Sequence, residues 1–531
     1  MMKTGLLLIF YVAVTFGVFY TISLAFAEPF HVAHIIYVAW DFFWRYPLIN
    51  ALVCAGAVSA VLITVQERQN RRYLHIDGPI LLEGARAIRH ANHVFKSKIS
   101  TCGLMPHPGF ALPRASELGN FFLFGMQGSG KSTIIKGLLR QVFRRQCTAL
   151  IYDEKGEYTE LFLDGETCVL SPGDVRSVYW ELSKDITTHH DARTFADAII
   201  SPATNEPFWT DAAKILVTGA LVSLIETTPS WGWADFHKRL FGEPEKLRSA
   251  LIEHFPEATF FTESDQKATA SVQAVVATQL SWLRYIEDAK PDNAQIFSLK
   301  DWFSESKKQK VIVKTNHANA SMSASLFLTL FSMMTNKVLS LPDSKAREIW
   351  VVLDELAAIS KNTALEVWLS RCRSKGARTI AGTQILSQVQ QIYGERQAET
   401  ILSLFSTVYA LKLGAAGGAA ETCSKLLGQR AVYSESTTVD ERGGKSVTRS
   451  EKDVPLVQKE SLIHLDAPDK KGVSGYLTLP VSRAIYKLKW PYPSLKAIAP
   501  ASVPINKYRE VDASMNQCSE RKKHDNPFMK K

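Results

Sequence analysis

FGMQGSGKST, residues 124–133, decides how the chain is read. It follows the apolar run Phe121–Phe124 and precedes IIKGLLRQVF, giving strand, tight loop and helix in that order. Gly125, Gly128 and Gly130 let the backbone turn and approach a ligand closely. Lys131 supplies a charge for β- and γ-phosphates, and Ser132 offers a hydroxyl to Mg²⁺. The helix that follows points its first N–H groups and positive dipole end at the same place. The pattern GxxxxGK[ST] is met in full, so the nucleotide-binding set is Gly125, Gly128, Ser129, Gly130, Lys131, Ser132 and Thr133.

A phosphate loop needs an acidic partner for its metal. REIWVVLDELAAIS, residues 347–360, provides one. Ile349–Leu353 reads as a buried strand, Asp354 at its end can hold Mg²⁺ through water, and Glu355 can polarise an attacking water. An adjacent Glu favours hydrolysis over a mere nucleotide switch. The next apolar strand, TIAGTQ at 379–384, ends in Gln384, a residue type that orients water or senses hydrolysis beside a γ-phosphate. Between the two lies SRCRSKGAR, 370–378. Its four basic residues fit a solvated helix face, an arginine reaching a neighbour's site, or a DNA path, and the sequence alone leaves these open.

Further strand-like runs are TALIYD (148–153), KVIVKT (310–315) and TVYALKL (407–413). Alternation with helical patterns predicts an α/β fold with a mostly parallel sheet covered on both faces. YDEKGEY, 152–158, follows the second strand and reads as a turn. The loop at 125–132 and its acidic partner at 354 are farther apart than a compact nucleotide fold needs. Within the gap, about 183–297 reads as an inserted all-α domain. PFWTDAAKILVTGALVSLIETT (207–228) starts at Pro207, and DQKATASVQAVVATQLSWLRYIED (265–288) is a second long helical pattern. SESTTVDERGGKSVTRSEKD, within 434–453, reads as a polar loop. SGYLTLPVSRAIYKLKWPYP (474–493) returns to β-character, and the stretch from 511 is polar and basic, without a packing pattern.

The 531 residues are 46% hydrophobic and 21% charged, an ordinary folded composition for two or three units, and the net charge of +10 favours anionic partners such as nucleic acid or a lipid surface. Seven scattered cysteines without a CxxC pair point to reduced thiols, with neither a disulfide framework nor a zinc site. Residues 5–26 and 47–65 are uncharged and long enough to span a bilayer. Lys3 precedes the first span and Arg68, Arg71 and Arg72 follow the second, which places both ends on the cytoplasmic side. The competing reading is a signal peptide cleaved after AFA at 25–27; the apolar run is longer than such a peptide's usual core.

With these pieces placed, the chain resembles the TraD/TraG-type coupling proteins of conjugative type IV secretion systems. The resemblance rests on the apolar hairpin, GMQGSGKS, YDEKGEY, EPFWTDAAK, SVQAVVATQLSWLRYI, FSLKDWF, VVLDELAAI, GTQILSQVQQIYGE and GYLTLP, in the family's order over 1 to about 495. EPFWTDAAK and GTQILSQVQQIYGE are more specific than the nucleotide motifs, which many ATPases share. It implies a hexameric RecA-like P-loop ATPase at the bacterial inner membrane, multi-pass, with its main domain cytoplasmic. Such a motor takes ATP and Mg²⁺ and drives single-stranded DNA with its attached relaxase outward. Relaxosome proteins and secretion-channel components are the implied partners. The motor lysine falls on Lys131, the acids on Asp354 and Glu355, and the glutamine on Gln384. The basic residue acting across the subunit interface falls on Arg373, with Arg371 and Arg378 as alternatives. Residues 497–531 are too short for the long relaxosome-docking extension that many members carry.

The expected organisation is a transmembrane domain at 1–72, a nucleotide-binding domain in two parts at 73–182 and 298–496, the all-α domain at 183–297, and a polar basic tail at 497–531. The alternative function is a membrane-tethered ATP-binding adaptor that recruits protein cargo. An ABC-type transporter subunit is disfavoured because no LSGGQ-like signature is present. A chromosome-segregation pump is disfavoured because such pumps lack the PFW insertion.

Overall fold

The computed structural model describes residue 45 and residues 73–96, 102–201, 207–259, 266–288, 294–304, 309–315, 320–359, 361–416, 418–439 and 445–505. The two apolar spans and the tail beyond 505 lie outside these residues.

The described chain falls into two compact units. The larger is built on a ten-stranded sheet. Its strands in chain order are β2 (Ile80–Glu83), β3 (Phe121–Phe124), β4 (Thr148–Asp153), β5 (Thr167–Leu170), β8 (Lys310–Lys314), β9 (Ile349–Leu353), β10 (Ala377–Thr383), β11 (Thr407–Ala410), β14 (Val473–Thr478) and β15 (Ala484–Trp490). They lie side by side as β2-β15-β14-β11-β3-β10-β9-β4-β8-β5. All run in one direction except β14, which is antiparallel to both β11 and β15.

The central strands are apolar at every position because both faces of the sheet are covered. Alternate residues serve opposite cores. Phe122 and Phe124 of β3, with Ile349, Val351 and Leu353 of β9, pack on one side. Phe121 and Leu123, with Trp350 and Val352, pack on the other. A one-residue slip in β3 or β9 would exchange these sets between two differently shaped cores. Helix α1 (Gly84–Lys96) and helix α2 (Lys131–Phe143) cover the second face, the latter through Ile134, Ile135, Leu138, Leu139 and Val142 at helical spacing.

Between β5 and β8 the chain leaves for its helical excursion. The exit strand β6 (Tyr179–Trp180) pairs in parallel with the return strand β7 (Ile296–Phe297). The half-buried Asp185 carboxylate closes this junction, accepting from the Trp180 indole at 2.7 Å and from the backbone N–H groups of Leu299 at 2.7 Å and Lys300 at 2.9 Å. Helix α3 (Glu157–Phe162) follows β4. The excursion carries α4 (His189–Ile199), α5 (Pro207–Thr227), α6 (Trp233–Phe241), α7 (Pro244–His254), α8 (Gln266–Leu280) and α9 (Leu283–Asp288). The single helical pattern expected over 265–288 is thus broken at Ser281–Trp282. Among the described residues α5 is long and apolar enough to cross a membrane, yet most of it is buried, as in a core helix. The core of this bundle is continuous with that under helix α10 (Ala320–Leu339) and helix α11 (Thr363–Ser370). Within it Trp180 meets Phe195 and Trp233 edge-on, and Phe195 lies tilted against Trp233, with ring centroids about 6 Å apart.

Two segments differ from the sequence reading. The described residues of 434–453, expected as a polar loop, belong to strands β12 (Gln429–Val439) and β13 (Lys445–Pro455), which with β1 (Tyr73–Asp77) form the three-stranded sheet of the smaller unit. Their Thr, Val and Tyr residues favour extended backbone, but no apolar stripe marks them, so periodicity is silent. The start of the basic tail is also tied down. Ile498 N–H donates to the Glu160 carbonyl at 2.9 Å, Val503 N–H donates to the Asp174 carboxylate at 3.1 Å, and the Arg176 guanidinium donates to the Pro500 carbonyl at 2.7 Å. Asp174 is almost wholly buried; the Arg176 guanidinium and the backbone N–H groups of Arg176 and Val503 overcome that burial and hold its carboxyl below the usual range.

Candidate functional site

The strand order places the site. β10 lies between β3, which carries the phosphate loop, and β9, which carries the acids. Because all three are parallel, their C-terminal ends bring Lys131, Asp354, Glu355 and Gln384 together although more than 200 residues separate the first two in sequence. Ligands in open α/β sheets bind at this edge.

Lys131, with only 6% of its surface exposed, fills the centre. Its ammonium donates to the Asp354 carbonyl at 2.8 Å and to Glu355 Oε2 at 3.1 Å. Ser132 Oγ donates to Asp354 Oδ2 at 3.1 Å. Glu355 is held from the other side as well, with Oε1 accepting from the Thr383 hydroxyl at 2.9 Å and Oε2 from the Gln384 N–H at 3.0 Å. The loop is braced by its neighbours: Gly125 N–H donates to the Thr383 carbonyl and Met126 N–H to the Lys412 carbonyl. Gly130 caps α2 at φ +92°, and a Cβ there would also collide with Val473 of β14.

Two buried polar atoms of this cluster have no hydrogen-bond partner: Ser129 Oγ and Asp354 Oδ1. Buried polar groups are nearly always paired, so these two fit a bound group. A hydroxyl in the phosphate loop suits a phosphate oxygen, and a buried carboxylate oxygen suits a water beside a divalent cation that the same carboxylate holds. The donor set is therefore that of a Mg²⁺-nucleotide.

YDEKGEY is more than a turn. Asp153, buried at the end of β4, accepts from both the N–H and the hydroxyl of Thr159, at 2.7 and 2.8 Å, and so folds 153–159 back on itself. Burial pushes its carboxyl up, against those hydrogen bonds. This brings Glu154, Lys155, Glu157 and Tyr158 to a small cavity shared with Asp354, Glu355 and Gln384.

The three candidate arginines separate cleanly. Arg378 is wholly buried in β10, and its guanidinium donates to Glu117 at 3.2 Å and to the Arg347 and Gly376 carbonyls at 2.6 and 2.8 Å. It also faces the Trp350 ring, and burial lowers its pKa. It is a core residue and cannot reach a neighbouring subunit, which removes it from the three alternatives. Arg371 and Arg373 are exposed around the 3₁₀ turn Cys372–Lys375, at the start of β10. Gln384 follows the other end of that strand, roughly 20 Å away at strand rise. Neither arginine reaches the nucleotide site of this chain.

Gly382 is a site residue that the sequence reading missed. A Cβ at this position of β10 would sit 2.8 Å from the Asp354 carbonyl and 2.9 Å from Lys131 Cδ. Only glycine lets the lysine stem pass across β10 to the acids. Gly382→Ala is expected to displace Lys131 and weaken nucleotide binding at least about tenfold, equivalent to about 1.4 kcal/mol. Equilibrium binding of a non-hydrolysable ATP analogue checks this; unchanged affinity would show that the stem moves freely.

A phosphate loop, an Asp-Glu strand end and a polar strand tip between them, set on a mostly parallel sheet, define a RecA-like P-loop nucleotide-binding fold. The chain belongs to the type IV secretion-system coupling proteins: the model of that family's DNA-binding domain matches residues 104–491. Coupling protein TraD of Escherichia coli (strain K12) is 26% identical over 413 residues, covering 76% of this chain and 56% of that protein, so the chain spans little more than half its relative's length. Among solved structures, the unbound bacterial conjugative coupling protein TrwBdeltaN70 has the same fold, with a TM-score of 0.69 at 21% identity over 81% of this chain and 96% of that one. Plasmid coupling protein TrwB matches likewise in complex with the non-hydrolysable ATP analogue ADPNP, with a TM-score of 0.69, 20% identity, and 82% and 98% of the two chains covered. Its complex with ADP and Mg²⁺ gives 0.67 at 21% identity over 81% and 98%.

Proposed function

We propose that the protein is a membrane-anchored ATPase that couples a relaxosome to a type IV secretion channel and moves single-stranded DNA. The observation that carries this reading is the joining of Lys131, Asp354, Glu355 and the Gln384 amide in one hydrogen-bonded cluster. A site for nucleotide binding alone has no need of a second carboxylate fixed from three sides. Residues 1–72, with spans at 5–26 and 47–65, would anchor it in the inner membrane. The segments 73–182 and 298–496 would form the motor, and 183–297 would receive substrate.

Gly125, Gly128, Ser129, Gly130, Lys131, Ser132 and Thr133 would bind the phosphates, with Ser129 Oγ gaining its missing partner. Ser132 and Asp354 would hold Mg²⁺, which when bound supplies positive charge against the phosphate oxygens. Lys131, now paired with Glu355, would turn to the phosphates and free that carboxylate. Glu355, still gripped by Thr383 and the Gln384 N–H, would take up the proton of the attacking water, and the Gln384 side chain would orient that water. Arg373 would complete the site of the next subunit in a homo-hexamer. A finger in trans makes hydrolysis depend on assembly and links neighbouring subunits.

Full-length protein in detergent is expected to bind single-stranded oligonucleotides of unrelated sequence with similar affinity. Log K should fall linearly with log salt, by about 0.7 per phosphate contact. Fluorescence anisotropy over a salt series measures both. Absence of binding at low salt would sink the DNA reading and favour a membrane-tethered adaptor for protein cargo.

A further inference from the structure

The Tyr158 hydroxyl is buried and reaches no hydrogen-bond partner. A buried tyrosine hydroxyl ordinarily finds one. Asp354 and Asp153 are its charged neighbours, and Asp354 lies near enough to act on it as a hydrogen-bond partner, though the phenol and Oδ1 miss direct hydrogen-bonding geometry. Asp354 Oδ1 is the other orphan nearby. Both residues line the same cavity of about 20 Å³. That is room for one water, which needs at least about 10–15 Å³ and two to four polar partners.

We infer that this cavity holds a water bridging the Tyr158 hydroxyl and Asp354 Oδ1, which makes Tyr158 a positioning residue for the Mg²⁺-binding carboxylate. The donors and acceptors agree. The phenol donates to the water, and the water donates to the carboxylate oxygen, which can only accept. Asp354 is then fixed at both oxygens, Oδ2 by the Ser132 hydroxyl at 3.1 Å and Oδ1 through the water. The plane so defined leaves Oδ2 beside Ser132, the other residue assigned to the metal. Tyr158 is itself held by the fold of 153–159, which Asp153 closes through Thr159. The turn after β4 is thereby tied to the metal site at the end of β9.

The inference rests on the nucleotide-site reading above. Its test is a Mg²⁺ titration of full-length wild type and Tyr158→Phe in detergent, at fixed ADPNP, read as nucleotide-dependent thermal stabilisation. The substitution removes one oxygen and keeps the ring. The Mg²⁺ midpoint is expected to rise at least about fivefold, while the Tm without ligand and the affinity for ADPNP in excess chelator stay as in wild type. Equal midpoints in the two proteins would overturn the inference and leave the nucleotide site standing. A lowered unliganded Tm with equal midpoints would make Tyr158 a packing residue, which also overturns it. Wild type that gains no stability from Mg²⁺ and ADPNP would overturn the nucleotide-site reading and the inference with it.

Discussion

Glu355→Gln is expected to lower steady-state ATP turnover by about 10²–10⁴-fold, the usual contribution of a positioned general base, while nucleotide is still bound. The substitution keeps the size of the side chain and removes its charge. Thr383 and the Gln384 N–H donate to this carboxylate from one side and Lys131 from the other. A carboxamide offers one acceptor where the carboxylate offers two, so one of these donors loses its partner. Asp354 and Ser132 are untouched, so the metal and phosphate contacts remain. Phosphate release measured beside ADPNP binding separates the two effects. Turnover within tenfold of wild type would show that Glu355 is not the base.

Arg378→Ala and Arg373→Ala are expected to fail in opposite ways, although the two residues lie five positions apart. Arg378 stands in a buried charge cluster with Glu117 and Glu348, which also receive Arg145 at 3.0 and 3.2 Å. Removing it leaves the wholly buried Glu117 undercompensated and three backbone carbonyls without their donor. Breaking such a buried pair costs about 3–5 kcal/mol, a fall in Tm on the order of 10 °C. Arg373 is exposed, and its replacement should change stability by no more than about 0.5 kcal/mol. Its loss should lower turnover of the assembled protein by about 10³-fold or more, as for an arginine finger. Mixing Arg373→Ala with Lys131→Ala should restore part of the activity, because some interfaces then combine an intact lysine with an intact arginine. A scanning calorimetry trace of Arg378→Ala matching wild type would contradict the first half, and normal turnover by oligomeric Arg373→Ala the second.

These arginines show where the sequence stops. Arg371, Arg373 and Arg378 look alike in SRCRSKGAR. What separates them is the point at which the chain enters β10, and the partner of Arg378, Glu117, lies 261 residues away. The phosphate loop was legible because its chemistry is local: loop, cap and the start of the helix follow one another directly in the chain. Asp354 and Glu355 were legible because five apolar residues before them mark a buried strand. Gly382 and Tyr158 were not, since their meaning depends on which strands are neighbours. Gly382 must be glycine because β10 runs between β3 and β9. Tyr158 matters because β4 runs beside β9. The strands within 429–455 and the tied segment 498–505 were missed for a related reason. Their order comes from backbone hydrogen bonds, which leave no apolar period in the sequence.

The most direct test of the account is ATP turnover by the assembled full-length protein as single-stranded DNA is added at low salt, with Glu355→Gln as the control for contaminating activity. Strand contacts in a translocating ring favour the closed interface in which Arg373 meets the neighbouring nucleotide. The account predicts a saturable rise in wild-type turnover that collapses as salt strips the DNA away, and no activity in the variant at any DNA concentration. A flat wild-type response in an oligomer that binds both ATP and DNA would contradict it.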